Sequence, residues 1–143
     1  MSLPHHNLVV WRRADDLFIE VHQLTLQRFP AHERFELGSQ VRRAAWSVPA
    51  NIVEGIARRS RRDALRFFDI SSSSLSELAY GLHAATRLGY IDAATSAALE
   101  EKVRMVAGPL HGLMHRYRLR SAIIPAAGAL LVLTALVSRA LAQ

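Results

Sequence analysis

The chain has 143 residues, enough for one domain with its own core; half are hydrophobic and about a fifth charged, which excludes a disordered class. It contains no cysteine, so disulfide scaffolds and thiolate metal sites are excluded as well. The formal charge is +6, and of 18 basic residues only Lys102 is lysine, a bias that suits planar contacts to phosphate or carboxylate and says nothing about fold.

The opening, MSLPHHNLVVWRRADD, has no long apolar run behind a basic start, so no signal peptide is expected. Together with the absence of cysteine this fits a reducing cytoplasm. Residues 8–27 read as the first helix. Val10, Ala14, Leu17, Val21 and Leu24 form a stripe at spacings of three and four, broadened by Trp11, Phe18 and Thr25. Asn7 is the expected N-cap, and Asp15 and Asp16 suit the helix dipole. Pro30 pushes Phe29 out of helical backbone and ends the segment.

The second helix runs from Leu37 to about Arg59 or Ser60. Leu37, Val41, Ala44, Ala45, Val48, Ile52 and Ile56 share one face, while Arg42, Arg43, Glu54, Arg58 and Arg59 fall largely outside it. Pro49 removes a backbone donor, so a kink is expected there, with Ser47 and Asn51 placed to bond the loosened backbone. Ser60 is the expected N-cap of a third helix over residues 61–88, and Asp63 stands three residues on, close to a capping box. The apolar stripe of that helix, from Ala64 and Phe68 to Leu82 and Ala85, passes straight through Ser71, Ser72, Ser73 and Ser74. Small side chains at that level let two helices approach closely. Gly89 is the natural stop.

A fourth helix is expected from the N-cap Asp92 to about Arg118, with Leu99, Val103, Val106, Leu110, Leu113 and Tyr117 as its stripe. Gly108-Pro109 predicts a kink or a break inside it. Four amphipathic helices with short connections, and no competing strand alternation, predict an all-α, up-down-up-down antiparallel four-helix bundle over residues 1–120. Residues 121–143 form an apolar helical tail of a different kind. Positions 121–138 carry no charge, after Arg116, Arg118 and Arg120 and before Arg139. Eighteen uncharged residues reach only the lower edge of a membrane-spanning length, so a fifth helix packed on the bundle or on a neighbouring subunit is favoured over membrane association.

Several separate blocks resemble one known family. They are Gln40-Val41-Arg42-Arg43-Ala44-Ala45, the run from Val48 through Pro49 and Glu54 to Gly55, and Arg58-Arg59-Ser60-Arg61. Phe29-Pro30 followed by Glu33 to Leu37, Ser74 to Leu78, and Arg87 to Ile91 add to them. Across residues 8–117 the chain resembles the bacterial four-helix-bundle proteins encoded in intervening sequences of the 23S ribosomal RNA gene, a family that includes accessory proteins of diversity-generating retroelements. The resemblance implies a four-helix protomer that assembles as a ring, with five subunits as the expected form. It also implies a basic surface, which in the retroelement proteins engages nucleic acid and a reverse transcriptase. It is silent about the tail.

The strongest chemical signal is arginine. Arg58, Arg59, Arg61, Arg62 and Arg66 crowd a helix–helix junction, with Arg42 and Arg43 further back on the second helix. The functional reading is a phosphate-binding patch whose affinity falls steeply with salt. The plainer reading is a solvated corner, partly paired with Glu54, Asp63 and Asp69. Glu54 is expected to pair with Arg58 at i+4 and not to catalyse. His111 and His115 share a helical face but lack the metalloprotease glutamate and a third ligand. Asp15, Asp16 and Glu20 lack the Glu-x-x-His partners of a di-iron bundle. No phosphate loop, dinucleotide fingerprint or nucleophile elbow is present, and the serine run has no activating base. Trp46 lies off the main stripe, placed to stack on a base or to bury against another subunit.

The expectation is therefore a non-enzymatic cytoplasmic homo-oligomer with no metal and no cofactor. It binds RNA or DNA through Arg42, Arg43, Arg58, Arg59, Arg61 and Arg62. The alternative is a structural or adaptor oligomer whose arginines serve subunit or protein-partner contacts.

Overall fold

The computed structural model describes the backbone of residues 3–140 and the side chains of residues 3–119. Four α-helices follow one another: α1 (Val9–Arg28), α2 (Leu37–Ala57), α3 (Arg61–Arg87) and α4 (Ala93–Ala140). Each packs on the next, and α4 closes the bundle against α1, which is the expected up-down-up-down arrangement. Among the described residues there is no strand.

The stripes read from the sequence are the core. Leu17 and Val21 of α1, Val41, Val48 and Ile52 of α2, Phe68, Leu78 and Leu82 of α3, and Leu99, Val106 and Leu110 of α4 are all but inaccessible. Each side chain of this size contributes about 1.5–3 kcal/mol by leaving water, which drives the pairing of faces. Contact between α2 and α3 is especially close, because small residues stand opposite large ones. A Cβ added to Gly55 would lie 2.3 Å from the Phe68 ring, and one on Gly81 would lie 2.7 Å from Val41. Between these levels Ser71 donates to the Val48 carbonyl at 2.9 Å and Ser74 to the Ser47 hydroxyl at 2.8 Å. The serine run thus belongs to the interface between two helices. Around Pro49, Asn51 donates its amide to the Ser47 carbonyl at 2.8 Å and to its hydroxyl at 2.9 Å, and α2 runs on without interruption.

The helix ends follow local chemistry with two corrections. Ser60 caps α3, accepting the Asp63 N–H at 3.4 Å. Asp92 caps α4, accepting the Thr95 N–H at 2.8 Å and the Thr95 hydroxyl at 3.0 Å. Gly89, at φ 78°, follows α3 with the two backbone bonds of a Schellman stop, Gly89 to Thr86 and Tyr90 to Ala85. Asn7, however, is not the cap of α1. A 3-10 turn nucleated by Pro4 (Pro4–Asn7) occupies that residue, and Leu8 takes the cap position without a side-chain bond. The second correction is that α2 stops at Ala57, short of the expected Arg59 or Ser60, as Arg58 turns to extended backbone.

At Pro109 α4 does not break. A proline at that position leaves the carbonyl four residues back, that of Met105, without its helical donor. Arg13 of α1 supplies one, its Nη1 donating to the Met105 carbonyl at 3.0 Å. The helix then continues as one piece through Ala140, so the apolar tail extends α4 instead of starting a new helix. The packing or membrane contact of the tail's side chains lies outside the described residues. Among the residues whose side chains are described, no helix is long and apolar enough to cross a membrane.

Candidate nucleic-acid interface

Two breaks in helical backbone create the basic end of the bundle. Arg58 (φ −75°, ψ 137°) and Ser60 (φ −85°, ψ 130°) are extended, so the chain crosses from α2 to α3 in three residues that leave Arg58 and Arg59 exposed. Arg61 and Arg62 follow at once as the first residues of α3, with Arg66 one turn later. The positive pole of α3 points at this same corner, which favours anions there.

Arg58 is the braced member of the group. Its guanidinium pairs with Glu54, the i+4 partner expected from the sequence, and stacks over the Phe67 ring at 4.6 Å. Both ends of the ion pair are exposed, so its stabilising value is small, about 0–1 kcal/mol, and its main effect is to hold Arg58 in place. Arg58, Arg59 and Arg61 line a cavity of about 210 Å³ together with Tyr117 of α4. Tyr117 is anchored edge-on against Phe68, ring centroids 5.0 Å apart. A second depression of about 300 Å³ lies alongside, lined by Arg58, Asp63, Arg66, Phe67 and Ile70.

The antiparallel return of α4 adds two cations that the sequence reading left out of the patch. Arg118 reaches Asp69 of α3 at 3.4 Å, and Arg116 sits two residues before it, lining a groove against the start of α1. Among the described residues, seven arginines of the α2–α3 junction, α3 and α4 thus gather at one end of the bundle, against three carboxylates, Glu54, Asp63 and Asp69. The sign of the end is set by that excess. Helix-length arithmetic contained the signal: a fourth helix antiparallel to the third returns its residues near 117 to the level of Phe68.

Arg42 and Arg43 are not at this corner. At about 1.5 Å per residue they lie roughly 24 Å away along α2. Arg42 donates to the Arg34 carbonyl at 2.6 Å and to the Thr25 hydroxyl at 3.2 Å, tying the first interhelical loop to α1 and α2. Arg43 is exposed. The same loop is held by Glu33, which accepts the Leu37 N–H at 3.2 Å and the Tyr90 hydroxyl at 3.0 Å. That bond to the carboxylate, with burial, pushes the Tyr90 phenol above its ordinary value. Trp46 is 59% exposed on the α1/α2 side, its ring 5.3 Å from Phe18. His111 and His115 are both exposed, and among the described residues no three metal-ligating side chains converge.

The model of the 23S rRNA-intervening sequence protein family matches residues 6–112. The chain belongs to that family. Among solved structures, the bundle of this family member is similar to the crystal structure of a protein of unknown function from the S23 ribosomal protein family of Bacteroides thetaiotaomicron. The two are 21% identical with a TM-score of 0.69, over 74% of this chain and 98% of the other. At that identity the likeness speaks for the fold alone. No curated protein matches the chain. Arg116, Tyr117, Arg118 and the tail lie beyond the segment that the intervening-sequence family model covers.

Proposed function

We propose that this family member is a non-enzymatic, cytoplasmic homo-oligomer that binds RNA or DNA phosphates through the arginine-rich end of its bundle. The observation that carries the reading is the convergence of Arg58, Arg59, Arg61, Arg62 and Arg66 with Arg116 and Arg118 on one end. Contacts of this kind release counterions and read little sequence. Arg43 is a separate, outlying charge in this reading, and Arg42 supports the fold. The family name refers to 23S rRNA, which makes structured RNA the first probe. Self-association would repeat the basic end around a ring, five-fold as the resemblance implies, and weak sites would add through multivalency.

A titration with structured RNA and with duplex DNA at several salt concentrations tests this. The native protein is compared with an Arg58→Ala/Arg59→Ala/Arg61→Ala/Arg62→Ala variant of equal helicity and oligomer mass. Affinity is expected to fall with salt, and for duplex DNA the variant's log–log slope is expected to be shallower by up to about 0.9 per lost phosphate contact. Absence of binding at low salt would sink the proposal. The second reading, a structural or adaptor oligomer, is favoured by the exposed Trp46–Phe18 edge. It predicts instead that the arginine variant falls apart into smaller species.

A further inference from the structure

The apolar run at 121–138 begins where the bundle ends. Tyr117 meets Phe68, and α3 starts at Arg61, so an antiparallel α4 passes the start of α3 about seven residues after Tyr117, near residue 124. The start of α1 is at this end too, lining one groove with Arg116. The backbone of α4 nevertheless continues without a break to Ala140, roughly 24 Å further at about 1.5 Å per residue. A fifth helix folded back on the bundle needs a turn in this stretch, and the helix has none. The backbone carries the run away from its own bundle.

The composition of the run fits one environment. Thirteen of its eighteen positions are Ala, Ile, Leu or Val and none is charged. Over about five turns no charged stripe marks a water-facing side, unlike the helices within the bundle. Five turns of helix span about 27 Å, against a hydrocarbon core of about 30 Å. A continuous helix also meets the further demand of lipid, that every backbone group find its partner inside the segment. Pro125 and Gly128 are residue types that membrane helices accept.

Charge completes the match. Arg116, Arg118 and Arg120 precede the run and Arg139 follows it, long cationic side chains of the kind that reach headgroups from either edge of a bilayer. Leu119, immediately before the run, is an exposed apolar side chain. Arg59, Arg62 and Arg66 are exposed at the same end of the bundle. A bilayer that holds the run therefore meets a basic surface, the complement of anionic headgroups. Three arginines before the run against one after it keep the bundle on the cytoplasmic side.

We infer that residues 121–138 are a single membrane-spanning helix and that the basic end of the bundle rests on an anionic lipid surface. The inference stands without the nucleic-acid reading; where both hold, lipid and nucleic acid compete for the same arginines.

The test reconstitutes the full chain from detergent into vesicles of phosphatidylcholine and phosphatidylglycerol and floats them on a density gradient. The protein is expected to float, and to stay with the lipid through concentrated salt and alkaline carbonate, which release proteins held by surface charge alone. Leu131→Arg places a charge near the middle of the run and outside the bundle. It is expected to lower the retained fraction on the order of tenfold or more while thermal unfolding of the bundle is unchanged. Gln143→Cys, in a chain with no other cysteine, is expected to react with a membrane-impermeant maleimide added to intact bacterial cells. Gln23→Cys, exposed on α1, is expected to react only after lysis. Protein that does not float overturns the inference; should Leu131→Arg also break the oligomer, the run belongs to a neighbouring subunit. Release by salt overturns the span and leaves adsorption through the arginines. Retention unchanged in Leu131→Arg overturns the assignment of these residues, and labelling of Gln23→Cys on intact cells overturns the placing of the bundle.

Discussion

Gly55→Ala is the sharpest probe of how α2 and α3 meet. The added methyl carbon would stand 2.3, 2.7 and 3.0 Å from three carbons of the Phe68 ring, where ordinary contact begins near 3.4 Å. The ring has little room to retreat, since Phe68 is 0% exposed and Tyr117 packs on it at 5.0 Å. Overpacking of this kind costs about 1–3 kcal/mol, and the severity of the shortfall argues for the upper half of that range. Against it stands a gain of about 1 kcal/mol from replacing a helical glycine by alanine. The expected net loss is roughly 1–2 kcal/mol, read as a lower urea midpoint or a Tm lower by about 3–8 °C. Protein concentration must be held equal, because self-association makes Tm concentration-dependent. Gly112→Ala is the control: its Cβ would meet nothing within 4 Å, so the helical gain alone is expected and the sign reverses. Should Gly55→Ala prove as stable as the native protein, or follow Gly112→Ala upward, the seating of Phe68 against Gly55 would be refuted.

Arg13→Ala is expected to cost about 1 kcal/mol, and clearly less in a Pro109→Ala background where residue 109 regains its own donor for the Met105 carbonyl; additive costs in that cycle would separate Arg13 from the proline. Bonds from the Thr95 N–H, then the Thr95 hydroxyl, hold the Asp92 carboxyl below its ordinary 3.8. A depressed folded value means that the contribution is present above that pH and is lost as pH falls through the folded value. The stability gap between native protein and Asp92→Ala should therefore narrow in acid below about pH 4, and a gap unchanged across urea melts at several pH values would contradict it. Trp46→Glu is expected to lower the oligomer mass seen by light scattering while leaving helicity intact; an unchanged mass would remove the Trp46–Phe18 edge from the subunit contact.

What the sequence by itself determined is what neighbours in the chain decide. Spacings of three and four placed all four helices and their buried faces, because side chains that share a helical face must find an apolar partner together. Ser60, Gly89 and Asp92 ended and started helices through bonds spanning three to five residues, and Glu54 found Arg58 one turn away. Asn7 does not cap α1 because a preceding Pro4 offers the backbone a competing 3-10 turn of similar short range. The remaining differences come from residues far apart in sequence. Arg13 and Met105 are 92 positions apart, and their bond carries α4 through Pro109. Arg118 and Asp69 are 49 apart, and with Tyr117 they enlarge the basic end beyond the junction itself. Arg42, read as a surface cation, is drawn to the Arg34 carbonyl because the first loop folds back across α2. Such partners depend on the register in which one helix slides against the next. That register is chosen by the fit of Phe68 to Gly55 and Val41 to Gly81, a shape match that no periodicity records.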